Sequence, residues 1–303
     1  VQSADNAPSR TPRRHEQMTP PSSRYDPDVH FDVETIDTRY RDDLAAKVYR
    51  PRGTGPFPAL IDVHGGAWNF GTLTGGEHVD RPLAATGLVV IAIDFRLAPD
   101  HPYPAQVCDL NLAIRWVKAN AAKFGIDGDA PLGVIGHSSG GQTAILSAMR
   151  PSDARYAAEP VDGGAQVDAS VDYVMTLCPV IDPHARYVYA KENGQENLVT
   201  ATEAYFLSED AMEEGNPQVA LDRGEGIEKP PLLILQGTAD VNVPMSISER
   251  FTESYQAAGG SVRLERFEGV PHLFAAKPGP DTDRAVALMK VFVSEQMTAV
   301  ASV

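Results

Sequence analysis

Short apolar runs recur along this chain, each bounded by glycine, proline or a charged residue, and longer stretches of helical period separate them. The runs at 59–63, 88–93, 132–135, 171–177 and 232–235 have the length of buried strands, and 262–267 closes the series. Runs with so little polar alternation are what parallel strands look like when helices cover both faces of a sheet. The stretches at 105–124, 140–150, 246–258 and 281–298 are amphipathic at helical spacing. Upstream, 29–36 and 44–49 read as two further strands joined by a polar turn at 37–43. Strand and helix in alternation predict an α/β fold with a mostly parallel eight-stranded sheet flanked by helices.

Two segments break the alternation. Residues 151–168 are polar and glycine-rich and read as a surface excursion. Residues 179–229 are too long for a simple connection and hold amphipathic pieces at 201–206 and 209–214, with aromatics at Tyr187, Tyr189, Tyr205 and Phe206. They read as an inserted helical cap. Residues 1–28, rich in Pro, Ser, Arg and Asp, read as a loosely held arm. One domain over 29–303 follows, because no linker or repeat divides it.

Composition narrows the function by exclusion. The 303 residues carry 26 Lys and Arg against 41 Asp and Glu, a formal charge of −15. That balance argues against nucleic acid or an anionic membrane surface as the main partner. No run approaches the roughly 20 apolar residues of a membrane-spanning helix. Two cysteines, Cys108 and Cys178, exclude a disulfide scaffold and a multi-cysteine zinc module. Both read as small core residues, with a disulfide between them left open. No histidine pair has zinc spacing and no carboxylate run resembles a calcium loop, so neither a metal nor a cofactor is expected. The first residues contain no apolar leader core. The default location is the cytoplasm, with a leader removed before Val1 left open.

The chemistry is concentrated in four loops. Gly136-His137-Ser138-Ser139-Gly140 follows the run at 132–135 and precedes a helical stretch, the context a G-x-S-x-G nucleophile turn requires. Ser138, with glycine two residues before and after it, is the candidate nucleophile. A serine hydroxyl needs a base oriented by an acid, and in this arrangement acid and base follow the nucleophile in that order. Asp240 stands in Gly237-Thr238-Ala239-Asp240 after the run at 232–235, and His272 in Pro271-His272 after the last strand. Asp222 and Glu268 are weaker candidates for the acid. The oxyanion needs preorganised N–H donors. Ser139 supplies one, and His64-Gly65-Gly66-Ala67-Trp68, directly after the run at 59–63, supplies the others from Gly66 and Ala67, with Gly65 as the neighbouring alternative. Trp68, His137, Tyr205, Phe206, Leu273 and Phe274 are candidates for lining the pocket. His64 reads as a loop anchor.

With these motifs, the chain resembles the hormone-sensitive-lipase-like branch of the α/β-hydrolase superfamily. The segment from Asp94-Phe95-Arg96-Leu97-Ala98-Pro99 to Ala105, then Asp109 and Arg115-Trp116, extend the likeness, which runs from Ala59 to the C-terminus. The resemblance implies a cofactor-free serine carboxylesterase acting on small to medium acyl esters. Small homo-oligomers are common in that family, though no segment here identifies an interface. Arg96 reads as an internal ion-pair scaffold. An arylformamidase, amidase or carbamate hydrolase with the same triad is the first alternative, since an aromatic after His-Gly-Gly is similar to arylformamidases. A non-catalytic binding protein on the same fold is the second. One departure matters: the family's fourth loop position is usually glycine, and here it is Ala67. Its β-carbon crowds the oxyanion loop, so esters of tertiary alcohols are expected to turn over far more slowly than those of primary alcohols. Rates with tert-butyl acetate and n-butyl acetate compare the two, and similar rates would remove the steric argument.

Overall fold

The computed structural model describes residues 25–161 and 167–300. Its strands are β1 (Val33–Arg41), β2 (Leu44–Pro51), β3 (Ala59–Val63), β4 (Val89–Ile93), β5 (Leu132–His137), β6 (Tyr173–Leu177), β7 (Leu232–Gly237) and β8 (Val262–Phe267). They form one sheet in the order β1-β2-β4-β3-β5-β6-β7-β8. β2 runs antiparallel to both its neighbours, and every other pairing is parallel. All residues of β3, β4, β6 and β7 are buried, which is why these strands read as near-continuous apolar runs.

The edge strand differs from its expected extent. β1 starts at Val33 rather than 29 and continues through most of the polar stretch expected to form the turn. Thr35, Asp37 and Arg39 are outward positions of a half-buried strand, and Asp37, Thr38 and Arg39 pair with Lys47, Ala46 and Ala45 of β2. The turn shrinks to Asp42 and Asp43. Polar residues at alternate positions mark an edge strand with one wet face rather than a loop.

The helices are α1 (Glu77–Ala84), α2 (Ala105–Ala119), α3 (Ala121–Phe124), α4 (Ser139–Met149), α5 (Pro183–Glu192), α6 (Glu196–Phe206), α7 (Glu209–Glu214), α8 (Pro217–Asp222), α9 (Met245–Ala257) and α10 (Pro280–Val300). Val79 and Leu83 of α1 and Ala285, Met289 and Phe292 of α10 share one apolar cluster with Leu60, Val90 and Leu233 of the sheet. Leu110 and Ile114 of α2, Ala144 and Ile145 of α4, and Phe251 of α9 share another with Ile61, Ile91, Val134 and Ile234. Because alternate strand residues feed different clusters, the sheet has a core on each face. The helix expected over 105–124 breaks at Asn120 (φ −112°, ψ 15°). α1 was not expected, since Pro82 interrupts its short pattern. Between β6 and β7, α8 packs against α4 and α9.

Of the arm expected over 1–28, residues 1–24 lie outside the described residues, and the Tyr25 hydroxyl lies 3.1 Å from Thr86 Oγ1. The excursion at 151–168 is anchored more firmly than its polarity suggested, although 162–166 lie outside the described residues. Tyr156 is fully buried and its hydroxyl lies 2.6 Å from that of Tyr103. Among the described residues no helix is long and apolar enough to cross a membrane.

Arg96 forms the expected scaffold. Asp109 of α2, fully buried, accepts from the Arg96 backbone N–H (2.8 Å), Nε (2.9 Å) and Nη2 (2.6 Å). Arg41 Nη1 lies 3.3 Å from the same carboxylate, and Glu159 pairs with both arginines. A buried carboxylate with several charged donors is costly to neutralise. Asp109→Asn is expected to destabilise the fold by about 2–3 kcal/mol, read as a lower urea midpoint with unchanged slope. An unchanged midpoint would show the network to be energetically idle.

Candidate active site

Ser138 is the single residue between the end of β5 and the start of α4. Its φ of +51° and ψ of −115° put it in a region L-residues rarely occupy. Three bonds hold it there: its N–H donates to Leu177 O (2.8 Å), and its carbonyl accepts from the N–H groups of Gly141 (3.0 Å) and Val180 (2.9 Å). The turn is tight enough that a β-carbon at Gly140 would collide with the carbonyl oxygens of Val63 and His64. That collision is the physical reason for the second glycine of the motif.

The hydroxyl of Ser138 lies 2.9 Å from His272 Nε2, and His272 Nδ1 lies 2.6 Å from Asp240 Oδ2. Asp240 sits in the turn after β7. Its Oδ1 accepts from the backbone N–H of Asn242 (2.8 Å) and Val243 (2.9 Å), and its Oδ2 also accepts from Gln236 Nε2 (2.9 Å). Burial by itself would raise the Asp240 carboxyl. The hydrogen bond and charge of His272, with the two N–H groups, outweigh burial and hold it below the usual carboxylate range. An ionised Asp240 can only accept, so the Nδ1 of His272 carries the proton and its Nε2 lone pair faces Ser138. The three residues singled out in the sequence are thus brought into one line. Asp222 and Glu268 stand apart from it: Asp222 accepts from Gln218 and Arg250, and Glu268 from Thr238.

The loop at 64–70 lies against the nucleophile. Gly66 has φ +123°, and a β-carbon there would run into the Phe70 carbonyl. Ala67 and Trp68 also have positive φ, at 48° and 64°. Among the described residues the N–H groups of Gly65, Gly66 and Ala67 have no hydrogen-bond acceptor, while the N–H of Trp68 donates to Ser139 Oγ (3.2 Å). His64 anchors the loop as expected. Its Nδ1 lies 2.7 Å from Gly65 O and its ring stacks on Phe95 at 4.1 Å, and burial lowers its pKa.

The six expected pocket residues divide. His137, Leu273 and Phe274 line a mostly apolar cavity of about 180 Å³, with His64, Gly65 and Cys178 among its other walls. Trp68, Tyr205 and Phe206 do not line it. The Trp68 indole stacks on Tyr205 (5.0 Å, 3°) and meets Phe206 edge-on (5.3 Å), and all three are buried in a cluster joining the loop to α6. Their side chains are consumed by packing, with Trp68 Nε1 donating to Gln142 Oε1 (3.0 Å). Gln236 was missed by the sequence reading. Its signal was a lone amide closing the run before Gly237.

The two cysteines are free thiols. Cys178 is buried beside Asp240 and His272, and the possible ligand atoms of these three lie within 4.8 Å of one another. Burial pushes the thiol up to about 12, and Asp240 and His272 are already engaged with each other, so the set is poorly suited to hold a metal.

A family model named BD-FAE matches residues 47–255 of the chain. Esterase LipC of Mycobacterium tuberculosis is 33% identical over 253 residues, covering 78% of this chain and 58% of that protein. Carboxylesterase NlhH of the same organism is 33% identical over 152 residues, covering 50% of this chain and 47% of its own length. The chain thus spans about half the length of these curated relatives. Among solved structures, a hyperthermophilic esterase from Pyrobaculum calidifontis is 27% identical with a TM-score of 0.70, over 90% of this chain and 87% of that one. Propionate-bound esterase Est2 of Thermogutta terrifontis, 24% identical over 87% of this chain and 94% of its own with a TM-score of 0.69, shares the fold. With the family model spanning most of its length and its sheet built as in these esterases, this chain belongs to the BD-FAE family, within the hormone-sensitive-lipase-like branch of the α/β-hydrolases.

Proposed function

We propose that the protein is a serine carboxylesterase for small to medium acyl esters. The observation that carries this reading is the unbroken line from Ser138 Oγ to His272 Nε2 and from His272 Nδ1 to Asp240. Ser138 Oγ forms a bond to the ester carbonyl carbon as its proton passes to His272 Nε2. The negative charge gathers on the former carbonyl oxygen, facing the N–H groups of Gly66, Ala67 and Ser139. Each such donor contributes about 3 kcal/mol in comparable sites. The carbon–oxygen bond to the alcohol then breaks, and His272 returns its proton to the departing oxygen. Water repeats the sequence on the acyl-enzyme, giving the acid and free Ser138. Asp240 holds the imidazole in the required tautomer and stabilises its cation.

The cavity beside the triad, at about 180 Å³, favours a short substrate chain. The helices from α5 to α7 act as the cap, fixed to the oxyanion loop by the Trp68 cluster and by Asn69 Nδ2 donating to Ala201 O (3.0 Å). Free thiols suit a reducing compartment such as the cytoplasm.

A p-nitrophenyl ester series from acetate to dodecanoate tests the reading. Short esters are expected to turn over fastest, and Ser138→Ala to lose about 10⁴-fold or more in kcat. A p-nitroanilide or N-formylkynurenine turned over faster than any ester would overturn it in favour of amide chemistry. With its pKa held down, Asp240 stays ionised across the range above about pH 4, so its contribution to stability is lost only as pH falls through that lowered value. The acid side of the kcat/KM profile is therefore expected to show one ionisation, and a second one near the ordinary carboxylate range would contradict the geometry.

A further inference from the structure

Behind the nucleophile turn lies a buried cluster that the proposed reaction does not use. Asp62 of β3 and Asp80 of α1 are both fully buried, which is rare for carboxylates. None of their four oxygens has a hydrogen-bond partner among the described residues, and the nearby Tyr49 phenol oxygen is orphaned as well. The nearest basic atom is His137 Nε2, 2.7 Å from Asp62 Oδ1, a salt-bridge contact bent away from hydrogen-bond geometry. The two carboxyls converge on the start of α1. A β-carbon built at Gly76 would lie 2.6 Å from Asp62 Oδ2 and 3.1 Å from Asp80 Oδ2, so glycine at 76 leaves the space they occupy.

Two carboxylates facing each other in a dry interior cannot both be ionised at neutral pH. We infer that Asp62 and Asp80 share one proton, held on Asp80, and that the charge left on Asp62 positions His137 and, through it, the nucleophile turn. Asp62 is the member that lies against an imidazole, so the geometry leaves the charge on it. Asp80 faces Asp62 and Glu77 instead, and burial followed by those two charges raises its carboxyl well above the usual range. The other groups facing the pair are Tyr49 of β2, Arg81 of α1, which is already paired with Glu77, and His64 beyond β3. His137 directly precedes Ser138, and its ring, 12% exposed, lines the cavity beside the triad. Asp62 is thus a positioning residue, separated from Ser138 by one side chain.

The kinetic part of the test rests on the esterase reading, and the spectroscopic part does not. At pH 8 ordinary carboxyls are ionised, so the infrared carbonyl stretch of a protonated carboxyl should be visible in the wild-type protein and absent from Asp80→Asn. Asparagine copies the neutral acid, so Asp80→Asn should keep kcat and KM within about 2-fold, whereas Asp62→Asn should lower kcat about 10-fold or more with KM little changed. The linkage sign follows from the proton count. The folded wild type keeps a proton that the unfolded chain releases, so its stability falls as pH rises above the ordinary carboxylate range. The stability of Asp80→Asn relative to wild type should therefore grow from pH 5 to pH 8. No protonated carboxyl band, or Asp80→Asn as damaging as Asp62→Asn, would overturn the inference. If no ester is turned over, the esterase reading fails, while the band and the pH slope still decide the carboxyl pair. Those two readouts also decide it if Asp62→Asn does not fold.

Discussion

The backbone of Ser138, forced to positive φ between β5 and α4, is the constraint on which the rest of the site depends. Holding a side chain there costs about 1–3 kcal/mol, and the surrounding ladder opposes that cost. β5 lies between β3 and β6, and the bonds from Ser138 to Leu177 and Val180 tie the turn to the end of β6. Moving the serine would break the parallel register on one side and push Gly140 into the end of β3 on the other. The strain is not confined to one residue. Of the six non-glycine residues with positive φ among those described, Ala67, Trp68, Ser138, Cys178 and Leu273 all border this site, and only Leu207 lies in the helices beyond β6. The fold places its least comfortable backbone at the C-terminal edge of the sheet, where several loops must approach one reacting atom at once.

Those loops were legible because each follows an apolar run. Once the runs ending near Val63, Ile135 and Leu235 were recognised as central parallel strands, the residues just beyond them had to meet at one edge of the sheet. Ser138, Asp240 and the glycines at 65 and 66 could be placed without knowing any side-chain contact, and His272 followed from the last strand in the same way. β1 was less legible, because an edge strand with one wet face carries the same polar residues as a turn. α1 was hidden by Pro82 and by its short length.

Side-chain direction was harder still. Trp68 is adjacent in sequence to the oxyanion loop, which made it a natural pocket residue, yet its indole turns into the Tyr205–Phe206 cluster and spends its N–H on Gln142. Adjacency in sequence fixes where a backbone goes and leaves open which way a large ring will find a flat partner. The same limit applied to Asp62. The sequence pattern read 59–63 as an apolar run without singling out Asp62, and its counterpart Asp80 lies 18 residues on, in a helix the pattern did not reveal.

Asp240 and Asp80 show how one residue type is driven in opposite directions within a single fold. Both are buried, so desolvation raises both. Asp240 sits in a turn whose backbone N–H groups point at it, beside the Gln236 amide and the imidazole of His272, and four donors to two oxygens reverse the effect of burial. Asp80 is offered no donor and faces the charges of Asp62 and Glu77. Burial alone therefore does not determine charge at these two carboxyls; the donors and charges that face each one do. That difference is set by backbone conformation: the loop after β7 turns the amides of Asn242 and Val243 toward the side chain of Asp240. In α1 the amides of Val79 and Asp80 itself are already used by Gly76 O. An ionised acid for the histidine and a neutral one behind the nucleophile turn thus follow from where the chain has spare backbone donors.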